Sequence, residues 1–185
     1  MKLTRTIFMF FALALTTLGV FAQSTLTNGQ KNTLRTAIAA EPALATALSI
    51  RDDAAISVYC NAKASPVQKA WRETYSAAEL FGATVLTEYI ARSAAERQGY
   101  DLLIQMGAIN PARNRIRAAI ADIFSGASNS TSRGLVLNNM TENATWCEVK
   151  LGGTDATTST VTAWERNWAG RLGPSDISTL LNTGQ

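Results

Sequence analysis

Apolar residues recur along most of this chain at the three-and-four spacing of an amphipathic helix. The clearest stretch runs from Asn110 to Gly126. There Ile116, Ile120, Ile123 and Phe124 fall on one face, and Arg113, Arg117 and Asp122 fall away from it. Asn110 suits the cap, Pro111 suits the first helical position, where no N–H is needed, and Gly126 suits a left-handed stop.

The same reading extends in both directions. Thr27 and Gln30 fit a capping box that opens a helix carrying Leu34, Ala37 and Ile38 and stopping before Pro42. Ala43 to Leu48 suits a short helical turn. Asp52-Asp53 introduces a stripe of Ile56, Tyr59 and Cys60, the acidic pair favouring the positive end of a helix. After a loop from Asn61 to Ser65, Pro66 is expected to restart a helix through Trp71. Ser76–Glu79 and Ser93–Glu96 fit two further capping boxes. Val85, Leu86, Tyr89 and Ile90 form an amphipathic segment between them. After the second box, Tyr100, Leu103, Ile104 and Met106 are expected to face inward until Gly107.

Beyond a polar loop from Ala127 to Thr131, the stripe Val136, Met140, Ala144, Cys147 and Leu151 predicts one long helix ending at Gly152-Gly153. Thr154 to Thr160 reads as a loop or a short strand, since threonine favours extended backbone. Trp164 and Trp168 lie one helical turn apart, and Pro174-Ser175-Asp176 opens a last helix through Leu181. The pattern predicts an all-α fold, a single domain over residues 23–185 built from about seven short-to-medium helices.

Residues 1–22 stand apart. A basic start with Lys2 and Arg5 leads into an apolar run from Ile7 to Val20, followed by Val20-Phe21-Ala22. This is the pattern of a secretory signal peptide, with cleavage expected after Ala22. The apolar run falls short of the roughly 20 residues of a comfortable membrane span, so no stable span is expected after cleavage. An uncleaved anchor and an upstream start codon are the competing readings.

Composition narrows the chemistry. The chain has 185 residues and no histidine, which removes the commonest general base and metal ligand. Residues 23–185 carry 15 basic and 14 acidic side chains. That balance lacks the concentrated basic patch of a nucleic-acid binder, and no specific nucleic-acid partner is expected. Arg113, Arg115 and Arg117 cluster locally and read as a solvated helix face. Cys60 and Cys147 match no metal spacing; they could pair if the chain is exported, or serve as small buried apolar residues inside a cell or virion. No nucleophile elbow or phosphate loop occurs. The expectation is therefore no catalytic residue, no metal and no cofactor. Three Asn-x-Ser/Thr triplets, at Asn129, Asn139 and Asn143, carry no functional weight in an alanine- and threonine-rich chain. Trp71, Arg113, Arg117, Trp164 and Trp168 are the candidate interface residues, because tryptophan and arginine dominate binding hot spots.

Several blocks in order resemble a family of small, mostly uncharacterised helical proteins from virion-gene regions of tailed bacteriophages and prophages. They are Leu26-Thr27 through Pro42-Ala43-Leu44; Asp52-Asp53-Ala54-Ala55-Ile56 with Tyr59, Asn61-Ala62, Ser65-Pro66 and Trp71-Arg72; and Asn110-Pro111 with Ile116-Arg117-Ala118-Ala119 and Asp122-Ile123-Phe124-Ser125-Gly126. Thr131, Arg133-Gly134-Leu135, Glu148, Leu151-Gly152 and Ser175-Asp176-Ile177 complete the match. Family members usually begin near the Leu26-Thr27 helix and carry a basic run where this chain has Asn138-Asn139-Met140. The resemblance implies a non-enzymatic structural or assembly protein of the head–tail joining or tail region. Its partners would be other phage structural proteins or further copies of itself, in the virion or the host cytoplasm during assembly. The segment Met1–Ala22 supports an alternative, an exported periplasmic or envelope protein, such as a phage-encoded one that interferes with entry of other phages.

Overall fold

The computed structural model describes residues 25–126 and 130–182. The signal-like segment Met1–Ala22 and Asn129 of the first triplet lie outside the described residues.

The first helix, α1 (Asn28–Ala40), starts at the expected box: Thr27 Oγ1 accepts from Gln30 N, and the Gln30 side chain accepts from Thr27 N. It turns Leu34 and Ile38 into the interior. A 3-10 turn at Pro42–Leu44 and α2 (Ala45–Ser49) follow. Asp52 caps α3 (Asp53–Asn61) by accepting from Ala55 N at 2.9 Å. The Ser76 and Ser93 boxes open α4 (Ala77–Ala83) and α6 (Ala94–Gln105), with α5 (Leu86–Ile90) between them. Past α7 (Asn114–Ile123), α8 (Ser130–Asn139) and α9 (Trp146–Leu151), the last helix is α10 (Pro174–Asn182).

The fold is mixed, not all-α, and it holds more helices than expected. A four-stranded sheet runs in the order β4 (Thr141–Asn143), β1 (Lys69–Trp71), β6 (Trp164–Arg166), β5 (Gly153–Asp155). β1 is antiparallel to β4, with Trp71 opposite Thr141, and parallel to β6, with Ala70 opposite Trp164. A separate two-stranded ribbon joins β2 (Tyr75–Ser76) to β3 (Ala108–Ile109).

Three helical expectations fail at this sheet. The stretch after the cis Ser65–Pro66 bond is extended rather than helical, because its backbone groups pair with β4 and β6. The long helix expected through Leu151 stops at Asn139, gives β4, and restarts at a fourth capping box, in which Thr145 Oγ1 accepts from Glu148 N. Trp164 sits on extended β6, so it and Trp168 do not share a helical face. Each strand is three residues long, too short for a period-two pattern to compete with helical spacing.

Two buried clusters flank the sheet. The first gathers α4, α6, α7 and α8 around Tyr100, Ile120, Phe124 and Val136, with Trp71 and Tyr75 from the strands. The second gathers α1, α3, α9 and α10 around Leu34, Ile56, Trp146, Trp168 and Ile177. Helix α7 turns Ile116, Ile120 and Ile123 inward as expected, but begins at Asn114, after a turn in which Asn110 Oδ1 accepts from Ala112 N. Gly126 adopts φ 85°, the left-handed geometry expected of a stop.

Candidate functional site

The five candidate interface residues are not brought together on one surface. Trp71 is buried in the first core, its indole N–H donating to Ala156 O at 3.0 Å. Trp168 is buried in the second core, Trp164 is half-buried on β6, and Arg113 is exposed at the start of α7.

Arg117 was expected on the solvated face of its helix, yet its side chain is 3% exposed. Its Nη1 donates to Pro111 O and Ala112 O, each at 2.7 Å, and its Nη2 donates to Glu165. Its guanidinium also lies 5.0 Å from the centre of the Trp71 ring. The turn over residues 110–113 aims its carbonyls at one cation, and the helix face is inward because the sheet covers it.

A second buried cation has no counterpart among the expectations. Arg166 donates to Glu148 Oε1 at 2.9 Å and to Glu142, and the Arg166 and Glu148 side chains are both nearly inaccessible. The Glu148 carboxylate also accepts from Thr145 N at 2.8 Å. Every oxygen is engaged by a positioned donor, the arrangement of a structural ion pair.

Two of the surface depressions are lined by described residues. One, of about 260 Å³, lies between the start of the described chain and α10, lined by Leu26, Lys31, Trp168, Leu172, Asp176 and Leu180. The other, of about 330 Å³, is polar and holds Arg72, Tyr75, Glu79, Asn138, Asn139 and Thr141. In it, the Ser76 backbone N–H and the Arg72 guanidinium hold the Glu79 carboxyl down to about 2. A carboxylate so committed is a poor proton acceptor near neutral pH. The Cys147 thiol is pushed far above the usual thiol range by its hydrogen bond to Cys60 and by burial, so it stays protonated and unreactive in the folded chain.

The feature that sequence reasoning missed is an apolar exterior. Phe81 on α4, Leu86 and Ile90 on α5, Leu102 on α6 and Met106 at the C-terminal cap of α6 are each more than half exposed. Met106 had been expected to point inward, and Leu86 and Ile90 to form part of an amphipathic segment. On α6 Tyr100 and Leu103 are buried, whereas Leu102 and the capping Met106 are exposed. The three helices are locked to one another. Tyr89 Oη donates to Asp101, Arg97 donates to Ile90 O, and Thr84 shares a 2.9 Å hydrogen bond with Tyr100.

Among the described residues no group of three His, Cys, Asp or Glu side chains is placed to hold a metal ion, and no helix is long and apolar enough to cross a membrane. Comparison with protein-family models, with curated proteins and with solved structures finds no match for this chain.

Proposed function

We propose that this chain is a non-enzymatic structural or assembly protein of a tailed bacteriophage or prophage, working by surface contact in the head–tail joining or tail region. The observation that carries contact as its mode of action is the apolar exterior of α4, α5 and α6. Five large side chains on three mutually locked helices are left in water, and apolar groups presented on rigid elements are what a protein partner removes from solvent. The phage assignment rests on the block resemblance, whose residues include core positions such as Leu44, Ile56, Trp71, Ile116 and Phe124.

Mass spectrometry of purified particles tests the assignment: the polypeptide is expected in virions or assembly intermediates, and its absence from both overturns the reading. Replacing Leu86 and Ile90 together by aspartate tests the mode of action. Incorporation should fall while the far-ultraviolet dichroism of the isolated chain is retained; undiminished incorporation removes α5 from the contact.

The segment Met1–Ala22 favours a second reading, export to the periplasm or envelope. N-terminal sequencing of the product of the full gene separates the two. A mature chain starting at Gln23 in the periplasm supports export, and an intact chain in the cytoplasm rules it out.

A further inference from the structure

Cys60 closes α3 and Cys147 opens α9, and the backbone ties these two ends together. Just after Cys60, Ala62 O accepts from Trp146 N at 2.9 Å, and Ala64 N donates to Ala144 O at 3.0 Å. Between those bonds, Lys63 and Thr145 form an antiparallel bridge. The Tyr59 and Trp146 rings meet edge to face at 5.4 Å beside the pair. Both cysteines turn into the second core, 0% and 1% exposed, and their thiols are hydrogen-bonded to each other. A disulfide requires neighbouring Cα atoms, and the Lys63–Thr145 bridge brings the ends of α3 and α9 that carry the two cysteines side by side.

We propose that Cys60 and Cys147 form an intrachain disulfide that clamps α3 to α9 when the chain folds in an oxidising compartment. The oxidant is a small-molecule or protein disulfide. One cysteine thiolate attacks it, releasing one thiol and leaving a mixed disulfide; the other then displaces the second thiol and forms the Cys60–Cys147 bond. The two cysteines together lose two protons and two electrons, and the oxidant gains both as two thiols. Exchange takes place before the second core closes, because both thiols are buried in the folded chain. The same burial then keeps the finished bond from reductants. The proposal rests on the export reading above, since a chain that folds in the host cytoplasm is kept reduced, whereas the refolding test below does not depend on that reading.

Refolding the full, denatured and reduced chain in a glutathione redox buffer provides the test. The expected product is a monomer lighter by two hydrogen atoms, in which neither cysteine reacts with iodoacetamide in denaturant until a reductant is added. Trypsin should leave the segment from Asp52 to Lys63 joined to the segment from Gly134 to Lys150. Closing a loop of roughly 90 residues should raise Tm by about 10 °C over the reduced chain, a difference absent from Cys60→Ala. If Cys60→Ala does not fold, the mass and peptide map of the unsubstituted chain decide alone. Two alkylatable thiols, glutathione adducts or disulfide-linked dimers as the refolded product would overturn the proposal.

Discussion

Replacing Arg117 by alanine removes a cation that the fold encloses almost completely. Two carbonyls, of buried Pro111 and half-buried Ala112, would lose a charged donor, at about 1–3 kcal/mol each where no water replaces it. The guanidinium over Trp71 contributes about another 1 kcal/mol. The Glu165 pair adds less, about 0.5–1 kcal/mol, because that carboxylate is 39% exposed and regains water when the arginine is gone. These terms overlap, and the expected loss is about 3–5 kcal/mol, the range for breaking one side of a buried ion pair. Equilibrium unfolding in urea reads it as a lower midpoint at constant slope. Arg117→Lys keeps the charge but not the planar fork that reaches three acceptors, so it should fall between alanine and the native chain. In a double-mutant cycle, Glu165→Gln should couple to Arg117→Ala by no more than about 1 kcal/mol. A loss within about 0.5 kcal/mol for Arg117→Ala would refute the burial and restore the solvated helix face.

Three further outcomes follow from the packing. Ile120 is fully buried at the centre of the first core, so Ile120→Ala should cost about 2–5 kcal/mol by urea unfolding, and a neutral result would mean that α7 presents another face. A Cβ at Gly153 would stand 2.4 Å from Glu165 O, so Gly153→Ala should force β5 off β6 and lower Tm; Gly82→Ala in α4, where nothing lies within 4 Å, should hold or raise it. Equal shifts for the two would break the argument. Glu79, lowered from 4.5 to about 2, stabilises the fold above pH 4.5 and loses that contribution as pH falls towards 2. Because its side chain is 43% exposed, the contribution stays below about 1 kcal/mol, and Glu79→Gln should flatten that part of the stability–pH curve. An unchanged slope would show that Glu79 is solvated.

Helix starts were legible because a cap is a local transaction: the Thr27, Ser76 and Ser93 boxes each pair a hydroxyl and a carboxylate or amide three residues apart, and all three form. The same signature stood at Thr145–Glu148, but an unbroken apolar stripe from Val136 to Leu151 ran through it. Met140, Ala144, Cys147 and Leu151 are indeed all buried, although they belong to a helix end, a strand flank and a new helix rather than one face. Burial was therefore readable there and conformation was not. The sheet was hidden for a related reason: its partners come from residues 69–71, 141–143, 153–155 and 164–166, and no window of sequence contains a pairing. The apolar exterior was not legible because Leu86 and Ile90 have only the spacing of an amphipathic segment, and spacing cannot say which side of a helix another element will cover.

The buried charges explain why so short a sheet holds. Successive side chains on a strand point to opposite faces, and on β6 the successive residues Glu165 and Arg166 carry opposite charges. Glu165 reaches Arg117 of α7, which stacks on Trp71 in the first core, whereas Arg166 reaches Glu148 of α9 at the second core and Glu142 on β4. One three-residue strand thus anchors two helices from separate clusters and joins the two other strands that bear on it, β1 and β5. The ladder contributes few hydrogen bonds of its own, so the register of β6 is set largely by where its two charges must go. Slipping that strand by one residue would exchange the faces, setting Arg166 towards Arg117 and Glu165 towards Glu148, and like charges buried together cost far more than a lost backbone bond. The two charges of β6 thus help to specify a pairing that no window of sequence contains.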